Sequence, residues 1–556
     1  QVSMGGITEH ETAGWFKRFA DKGMRCINIA PQRADAPVGC EWVGLRPGSD
    51  TALMLALAHV IETEDLTDRA FLARYTVGFD RFRPYLLGQT DGQPKSPEWA
   101  APLCGGDPDT IRELARRMAT TRTMITVAWS LQRAEHGEQP YWMSAVLAAM
   151  LGQIGLPGGG IGYGYGAIGG IGKSLLGLDG MTFPQGKNPV RKVIPVARIG
   201  DMLRHPGQPY DFNGRREPYP DIRLVYWAGG NPFHHHQDLN GLHDAWQHPE
   251  TIIVHEPWWT ATAKRADIVF PATTPYERED IGRSPLDDYL FHMPQFIPPV
   301  GDARDDYAIF AELAGRLSVG PAFTEGRSAG DWIEALYEDF RTTAADAGID
   351  VPDYLTLKEQ NWVRLPIDTN DPQRTLFSAF REDPASTPLK TPSGRIEIFS
   401  QTIDGFGYDD CPGHPVWLPP QEWLGNAPKT APLHLVSPQP GDKLHSQLES
   451  ALADVEGARP ETLVIHPHDA AKRGIRSGDL LRVFNARGAC KARALVSEDI
   501  LPGVVALPTG AWFGDPGDNI DPHGNPNVLT RDVGTSRLGQ GCSAHSALVE
   551  VTKLTG

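Results

Sequence analysis

A tryptophan, a hydroxyl, a guanidinium and an imidazole follow closely in Trp129-Ser130-Leu-Gln-Arg133-Ala-Glu135-His136-Gly137-Glu138-Gln139, between an apolar strand-type run and an apolar helical run. A strand-to-helix junction of this kind presents free helical N–H groups to an anion. Two structural alternatives stand beside that reading: Trp129 as a core residue, and Arg133 paired with Glu135 or Glu138. A second junction, Gly229-Gly230-Asn231-Pro232, lets backbone N–H groups approach a phosphate or ring, and Asn231 adds a donor and an acceptor. His234-His235-His236 beside Asp238 invites a metal. Successive side chains in one loop diverge, however, and no second ligand pair lies at helical spacing, so hydrogen bonding of one or two of these imidazoles to a polar ligand at the strand end is the better reading. The stretch from His255 and Glu256 through Trp258, Trp259, Thr260 and Thr262 to Asp267 is dense in hydrogen-bonding groups between apolar flanks, as is Leu444-His445-Ser446-Gln447-Leu448. Polar loops of this kind hold large polar ligands.

The glycine-rich run Gly158 to Gly172 contains Gly164-Tyr-Gly166-Ala-Ile-Gly169, which satisfies G-x-G-x-x-G but follows a helix and a proline instead of a strand. Counting back from Gly172-Lys173-Ser174, the first glycine of a Walker A loop falls on Ala167, so that reading fails. A pliable loop running close to a ligand or another domain remains.

These loops need elements to hold them. Met24 to Ala30 reads as a strand, and Asp50 as the N-cap of a helix over Thr51 to Ile61. Helix 109–120, strand 124–128 and an all-round apolar helix 139–154 follow. Past the glycines the alternation resumes with strand 222–228, helix 239–246, strands 251–255 and 267–270, and helix 306–317. Alternation of this order implies parallel sheets, and ligands then sit beyond the strands' carboxyl ends. The stretch from Ala344 to Trp423, rich in Pro, Asp and Thr, reads as long connections. Five short strands (433–436, 462–465, 480–484, 492–496 and 503–507) predict a small β-barrel. The expected fold is α/β, with an α/β dinucleotide-cofactor domain over 1–165, a second α/β cofactor domain with long connections over 166–425, and a C-terminal β-barrel over 426–556.

Composition narrows the function. The 556 residues carry a net charge of −17, which argues against nucleic acid as a partner. The longest apolar run, Ala145 to Leu156, contains Gln153, stops at Pro157 and falls short of the roughly 18–20 residues that span a bilayer. The 59 glycines and 48 prolines interrupt apolar segments without thinning them, so they mark tight loops on ordered elements. Six cysteines (Cys26, Cys40, Cys104, Cys411, Cys490 and Cys542) lie far apart with no C-x-x-C, which argues against a zinc ribbon, an iron–sulfur cluster and a dithiol redox pair. The first residue is Gln, with neither a signal nor a transit peptide after it, and a preceding segment is expected to have been removed or left unrecorded.

Taken together, Trp129-Ser-Leu-Gln-Arg133, His136-Gly-Glu-Gln139, Gly152-Gln-Ile-Gly-Leu-Pro-Gly-Gly-Gly160, Trp227-Ala-Gly-Gly-Asn-Pro-Phe233, Trp259-Thr-Ala-Thr-Ala263, Ala266-Asp-Ile-Val-Phe-Pro271 and Thr391-Pro-Ser-Gly-Arg-Ile-Glu397 closely resemble the dimethyl sulfoxide reductase family of molybdenum enzymes. Within that family the likeness is to the serine-ligated S- and N-oxide reductases, among them those of biotin sulfoxide and trimethylamine N-oxide. It covers essentially the whole chain in family order. The resemblance implies a bis(molybdopterin guanine dinucleotide) molybdenum cofactor between two related α/β domains, capped by the barrel, and no iron–sulfur cluster in this chain. It implies reduction of S- or N-oxides by oxygen-atom transfer to molybdenum, with electrons from a donor protein or reductant.

Carried over residue by residue, Gly48, Ser49 and Asp50 match a loop contacting one dinucleotide. Asn231 and His235 match the strand-end loop of the pterin dinucleotide, and Glu256 and Asp267 match polar positions in the loops that follow. His445, Ser446 and Gln447 match the barrel's pterin-facing segment, and Asn527 and Gln540 late barrel contacts. Trp129, Ser130 and Arg133 fall among the cofactor contacts; Trp129 and Arg133 also resemble funnel residues over the metal, where a guanidinium orients a polarised S=O or N–O oxygen. The family's molybdenum-ligating serine lies N-terminal to the point matching Val2-Ser-Met-Gly-Gly6. Neither Ser3 nor Ser130 is therefore the ligand, no metal ligand is assigned, and the part bearing it is expected outside this sequence. Alternatives are a formate dehydrogenase or nitrate reductase type of molybdopterin enzyme, or a cofactor-free structural homologue or inactive fragment. The cytoplasm is the expected compartment, with the periplasm as the alternative.

Overall fold

The computed structural model describes residues 12–33, 36, 39–163, 181–283, 288–366, 375–441, 443–447, 460–514 and 520–554. Most of the glycine-rich run, residues 164–180, and Ser3 lie outside the described residues.

Helices carry the core of the first unit. The segment Asp50–Thr63 is apolar on every side, with Ala52, Leu55, Ala56, Ala58 and Ile61 fully buried, so it forms the central helix that others must cover. Helices Pro97–Cys104, Pro108–Thr120 and Glu138–Met150 pack against it. The side chains of Ser96 and Asp107 cap the first two by accepting the Trp99 and Thr110 N–H groups. Ser49 stands at the cap of the central helix and Asp50 opens its first turn, one position away from the sequence expectation. The strands here are short parallel pairs, Ile27–Ala30 with Glu41–Gly44 and Met124–Val127 with Gly160–Tyr163. A disulfide between Cys26 and Cys40, whose Cα atoms are 4.7 Å apart, joins the starts of the first pair. A separation of 14 residues gives no motif by which the sequence announces it.

The second unit is a three-stranded parallel sheet, in the order Ile268–Phe270, Thr251–His255, Leu224–Ala228. Beyond it an antiparallel sheet of Asp280–Arg283, Tyr289–Met293 and Trp362–Arg364 packs on helix Ala329–Asp346. The end of that helix and helix Tyr354–Gln360 give regular structure to part of the stretch read as connections. Its Asp residues cap helices, as Asp353 does for the Thr356 N–H. Residues 375–423 return to the first unit: Ile396–Glu397 pairs with Thr76–Val77, and Phe380, Ile398 and Val416 join its core.

The barrel closes with six strands, one more than expected, in the order Leu433–Val436, Val504–Ala506, Thr462–Ile465, Ala489–Val496, Leu480–Phe484, Ala547–Lys553. The sixth pairs with both Leu433–Val436 and Leu480–Phe484, and so removes the open edges. Barrel and second unit share one core, in which Phe233, Leu239, Trp246 and Ile252 meet Leu435, Leu463, Leu481 and Phe513. The loops at the barrel's mouth are thereby fixed relative to the sheet.

Candidate active site

Two sets of strand ends face each other. Leu224–Ala228 and Thr251–His255 release their loops at the carboxyl end of the second sheet. In the barrel, Leu433–Val436 and Val504–Ala506 run parallel, so loops 437–447 and 507–514 leave from the same end. Phe513 stacks on Phe233 at 6.0 Å, Arg265 lies over both rings, and the Phe513 N–H donates to the Phe233 carbonyl at 3.1 Å.

At the sheet end Gly229 and Gly230 both take positive φ, +78° and +90°. A Cβ on Gly230 would stand 3.2 Å from Trp227 Nε1, so this turn favours glycine on two counts. Asn231 follows, 2% exposed. Its Oδ1 accepts from the Thr262 hydroxyl at 2.6 Å and the Thr262 N–H at 3.2 Å, which fixes the amide and turns Nδ2 inward. His234, also 2% exposed, has its backbone carbonyl clamped by Asn525 Nδ2 at 3.0 Å and Asn527 Nδ2 at 3.1 Å.

Around this junction, buried polar atoms accumulate without partners among the described residues: Trp227 Nε1, Asn231 Nδ2, both ring nitrogens of His234, and from the barrel loops Ser437 Oγ, Gln439 Oε1 and Thr509 Oγ1. Each such atom costs about 1–3 kcal/mol if nothing satisfies it, and seven together describe a surface shaped for a polar ligand. Donors and acceptors are mixed in this set, which suits a pterin or nucleotide. Among the described residues no group of three or more His, Cys, Asp or Glu is arranged to hold a metal.

The third wall is the loop after Met124–Val127, a 3₁₀ turn over Trp129–Gln132 with Arg133 at its end. Arg133 opens onto the cleft, and its charge is felt by His235, His445, Cys542 and His545. The imidazoles are held neutral. Burial first and then the neighbouring His235, His445 and Lys443 push His234 down to about 3. Desolvation in the cleft, then His236, His445 and Arg133, push His235 down to about 4. Desolvation and Arg133 also lower His445. Glu256, in the loop beyond Thr251–His255, is pushed by desolvation up to about 7, against the Trp258 backbone and the Thr260 hydroxyl. At neutral pH it can take up or give up a proton.

Of the residues expected to act together, Arg133, His235 and His445 converge directly, while Asn231 and Glu256 join through Thr262 and Thr260. His445 takes positive φ (+54°), the Ser446 carbonyl accepts from Trp512 Nε1 at 2.7 Å, and the Gln447 N–H closes a turn on Leu444. Trp129 and Ser130 lie half-buried on the turn. The Gly48-Ser49-Asp50 turn stands on the first unit at the N-terminus of helix Asp50–Thr63, with the Gly48 carbonyl held by Trp417 Nε1 at 3.1 Å. Burial pushes the Asp50 carboxyl up to about 6. Asn527 works from behind, as the clamp on His234, and Gln540 Nε2 is engaged by the Asp211 carbonyl at 2.7 Å. Asp267 stands apart: it precedes its strand, accepts the Ile252 N–H at 2.8 Å, and lies exposed at the sheet's amino end, opposite the cleft. The triple histidine signals His234 as a ligand contact only collectively, and Trp227, Ser437, Gln439 and Thr509 carry no sequence signal of that role. Nor does Arg133 pair with Glu135 or Glu138 among the described residues; Glu135 binds Arg531, and Glu138 binds the hydroxyls of Thr535 and Ser536.

Behind the cleft, His434 is fully buried, with Nε2 against the His545 carbonyl at 2.6 Å, and burial pushes it down to about 4. The unfolded chain therefore takes up a proton below about pH 6.5 that the folded one refuses until about pH 4, and stability falls across that window by roughly 1.4 kcal/mol per pH unit. Asp50 and Glu256, both raised, contribute with the opposite sign between their folded values and the ordinary carboxylate range. His434→Gln keeps a side-chain N–H for the His545 carbonyl and removes the titration. Urea unfolding at about pH 7 and about pH 5 should show the variant losing about 2 kcal/mol less than the wild type; equal losses would remove His434 from this role.

The model superposes on acetylene hydratase from Pelobacter acetylenicus with a TM-score of 0.68 over 97% of this chain and 75% of that one, at 18% identity, a likeness of fold. The molybdopterin oxidoreductase family model matches residues 8–316, and that of the molydopterin dinucleotide binding domain matches residues 433–548. The chain belongs to the molybdopterin oxidoreductase family. It is 48% identical to biotin sulfoxide reductase of Cereibacter sphaeroides over 563 residues, covering 100% of this chain and 75% of the relative. It is 43% identical to dimethyl sulfoxide/trimethylamine N-oxide reductase of Rhodobacter capsulatus and 42% to trimethylamine-N-oxide reductase of Haemophilus influenzae, covering 99% of this chain and 69% of each.

Proposed function

We propose that this chain carries the cofactor and substrate machinery of a molybdenum-dependent reductase of S- or N-oxides, of the biotin sulfoxide, dimethyl sulfoxide or trimethylamine N-oxide type. The observation that carries this reading is the convergence of Arg133 with neutral His235 and His445 where both α/β units and the barrel meet. The reductase names and high identities of the relatives support it.

Asn231, His234 and His235 would hold a molybdopterin dinucleotide from the sheet side, and Ser437, Gln439, His445 to Gln447 and Thr509 from the barrel side. Gly48, Ser49 and Asp50 would hold a second one on the first unit, with guanine as the base of both. When bound, the group supplies two-electron redox chemistry at molybdenum. This chain's part is binding and orientation. The Arg133 guanidinium donates to the oxygen of a polarised S=O or N–O bond. His235 and His445, being uncharged, accept or donate hydrogen bonds without repelling Arg133. Reducing one oxide to sulfide or amine and water consumes two electrons and two protons; Glu256 lies at the cleft with a suitable proton affinity.

No iron–sulfur cluster is proposed, and the electrons are assigned to a donor protein or small reductant. Among the described residues no helix is long and apolar enough to cross a membrane. For the compartment, the likeness to biotin sulfoxide reductase favours the cytoplasm, while the Cys26–Cys40 disulfide favours an oxidising compartment such as the periplasm. Oxidation of a reduced dye by each oxide tests the reading, with nitrate as a competing oxidant and formate-dependent reduction of the oxidised dye as the other comparison.

A further inference from the structure

The barrel segment from Asn525 to Ser546 reaches every wall of the cleft, and at its centre Arg531 and Asp532 face different units. Asp532 accepts from Arg198 and Arg204 beside the second unit's loop. Arg531 reaches the first unit: Nη1 donates to Glu135 Oε2 at 3.0 Å, Nη2 donates to Gln421 Oε1, and Nε lies 3.9 Å from Glu422. The Arg531 and Glu135 side chains are 14% and 10% exposed. Glu135 Oε2 also accepts the Gln421 N–H at 2.9 Å. Glu135 stands two residues beyond Arg133 on the same loop, whose backbone is held by the His545 N–H on the Arg133 carbonyl at 2.8 Å and by the Glu135 N–H on Ser546 Oγ at 2.9 Å.

A largely buried carboxylate deprived of its cation is costly and captures the nearest replacement. Arg133 is a long cationic side chain two residues away from Glu135 on the same loop. We propose that Arg531 is a positioning residue: by occupying Glu135 it denies Arg133 that carboxylate and leaves the Arg133 guanidinium turned to His235 and His445. The inference rests on Arg133 being the oxide-orienting group, and it adds the residue that keeps Arg133 available.

The test uses the full-length holoenzyme and removes first the competing cation, then the trap. Arg531→Met should raise KM for the oxide by about tenfold or more while kcat per bound molybdenum changes less than about threefold. Arg531→Met with Glu135→Gln should bring KM back to within about threefold of wild type, because no carboxylate remains to capture Arg133. A purely structural role would leave the double variant at least as impaired as the single one. A readout independent of turnover is the NMR titration of His445, which Arg133 holds down. It should move upward in Arg531→Met and return in the double variant. Failure of the second substitution to rescue KM, or a His445 titration unmoved in Arg531→Met, would overturn the proposal. Should Arg531→Met not fold, Glu135→Gln alone decides: KM within about threefold of wild type is expected, and a tenfold rise would count against it. Absence of oxide turnover in the wild type would instead remove the functional reading, leaving the His445 titration to judge the positioning.

Discussion

Arg133→Met should lower kcat/KM for a sulfoxide or amine oxide by about 10²–10³, with molybdenum content unchanged. The side chain is exposed at the end of the Trp129–Gln132 turn, near enough for its charge to be felt by His235 and His445. Methionine preserves length and apolar packing while removing every donor. A charge-assisted hydrogen bond to an oxygen that gains electron density during reduction is worth roughly 2.7–4 kcal/mol, which sets the size of the effect. The same substitution should let His235 and His445 titrate closer to the ordinary imidazole range, since Arg133 contributes to lowering both. Steady-state kinetics with dye as electron source, normalised to bound metal, measure the first effect. A variant within about threefold of wild type would take Arg133 out of substrate orientation.

The second large effect is expected in cofactor retention. Asn231→Ala removes the buried Nδ2 donor and also the Oδ1 acceptor that ties Thr262 to the turn. Loss of one donor to a bound ligand costs about 1–1.5 kcal/mol, near tenfold in affinity, and loosening of the loop adds to it. Molybdenum per folded chain should therefore fall by about tenfold to a hundredfold after extensive dialysis. Thr262→Val separates the two contributions, because it loosens the turn but leaves the amide in place. Full molybdenum content in Asn231→Ala would remove this residue from the cofactor site.

Much of this arrangement was legible in the sequence where local pattern and fold agree. Strands 251–255, 433–436, 462–465 and 480–484 have the bounds that their β-branched, turn-flanked runs indicate. The glycine pair before Asn231 needs positive φ at both positions, which glycine uniquely tolerates there. Asp267 precedes its strand, so a parallel sheet puts it at the amino end, although the polar density of the stretch from His255 and the family likeness both point to it as a ligand contact. Helix Ala329–Asp346 has its apolar residues Trp332, Ile333, Leu336, Tyr337 and Phe340 at helical spacing, yet it lies between the helix expected to end at 317 and the connections expected from Ala344, where the sequence reading assigns no element. What no local pattern contains is the set of unpartnered atoms. Ser437, Gln439 and Thr509 are ordinary polar residues until barrel closure brings their loops together opposite His234. The Arg531–Glu135 pair is equally silent, because its members are separated by almost 400 residues.

The most direct test is the oxidation of reduced methyl viologen by the full-length protein purified from cells supplied with molybdate, with dimethyl sulfoxide, trimethylamine N-oxide, biotin sulfoxide and nitrate compared side by side as oxidants, and the reduction of oxidised methyl viologen by formate measured in parallel. The account predicts turnover with at least one sulfoxide or amine oxide, two viologens consumed per oxide reduced, and no comparable activity with nitrate or formate. Turnover confined to nitrate or formate, or no oxide-dependent oxidation by molybdenum-loaded protein, would contradict it.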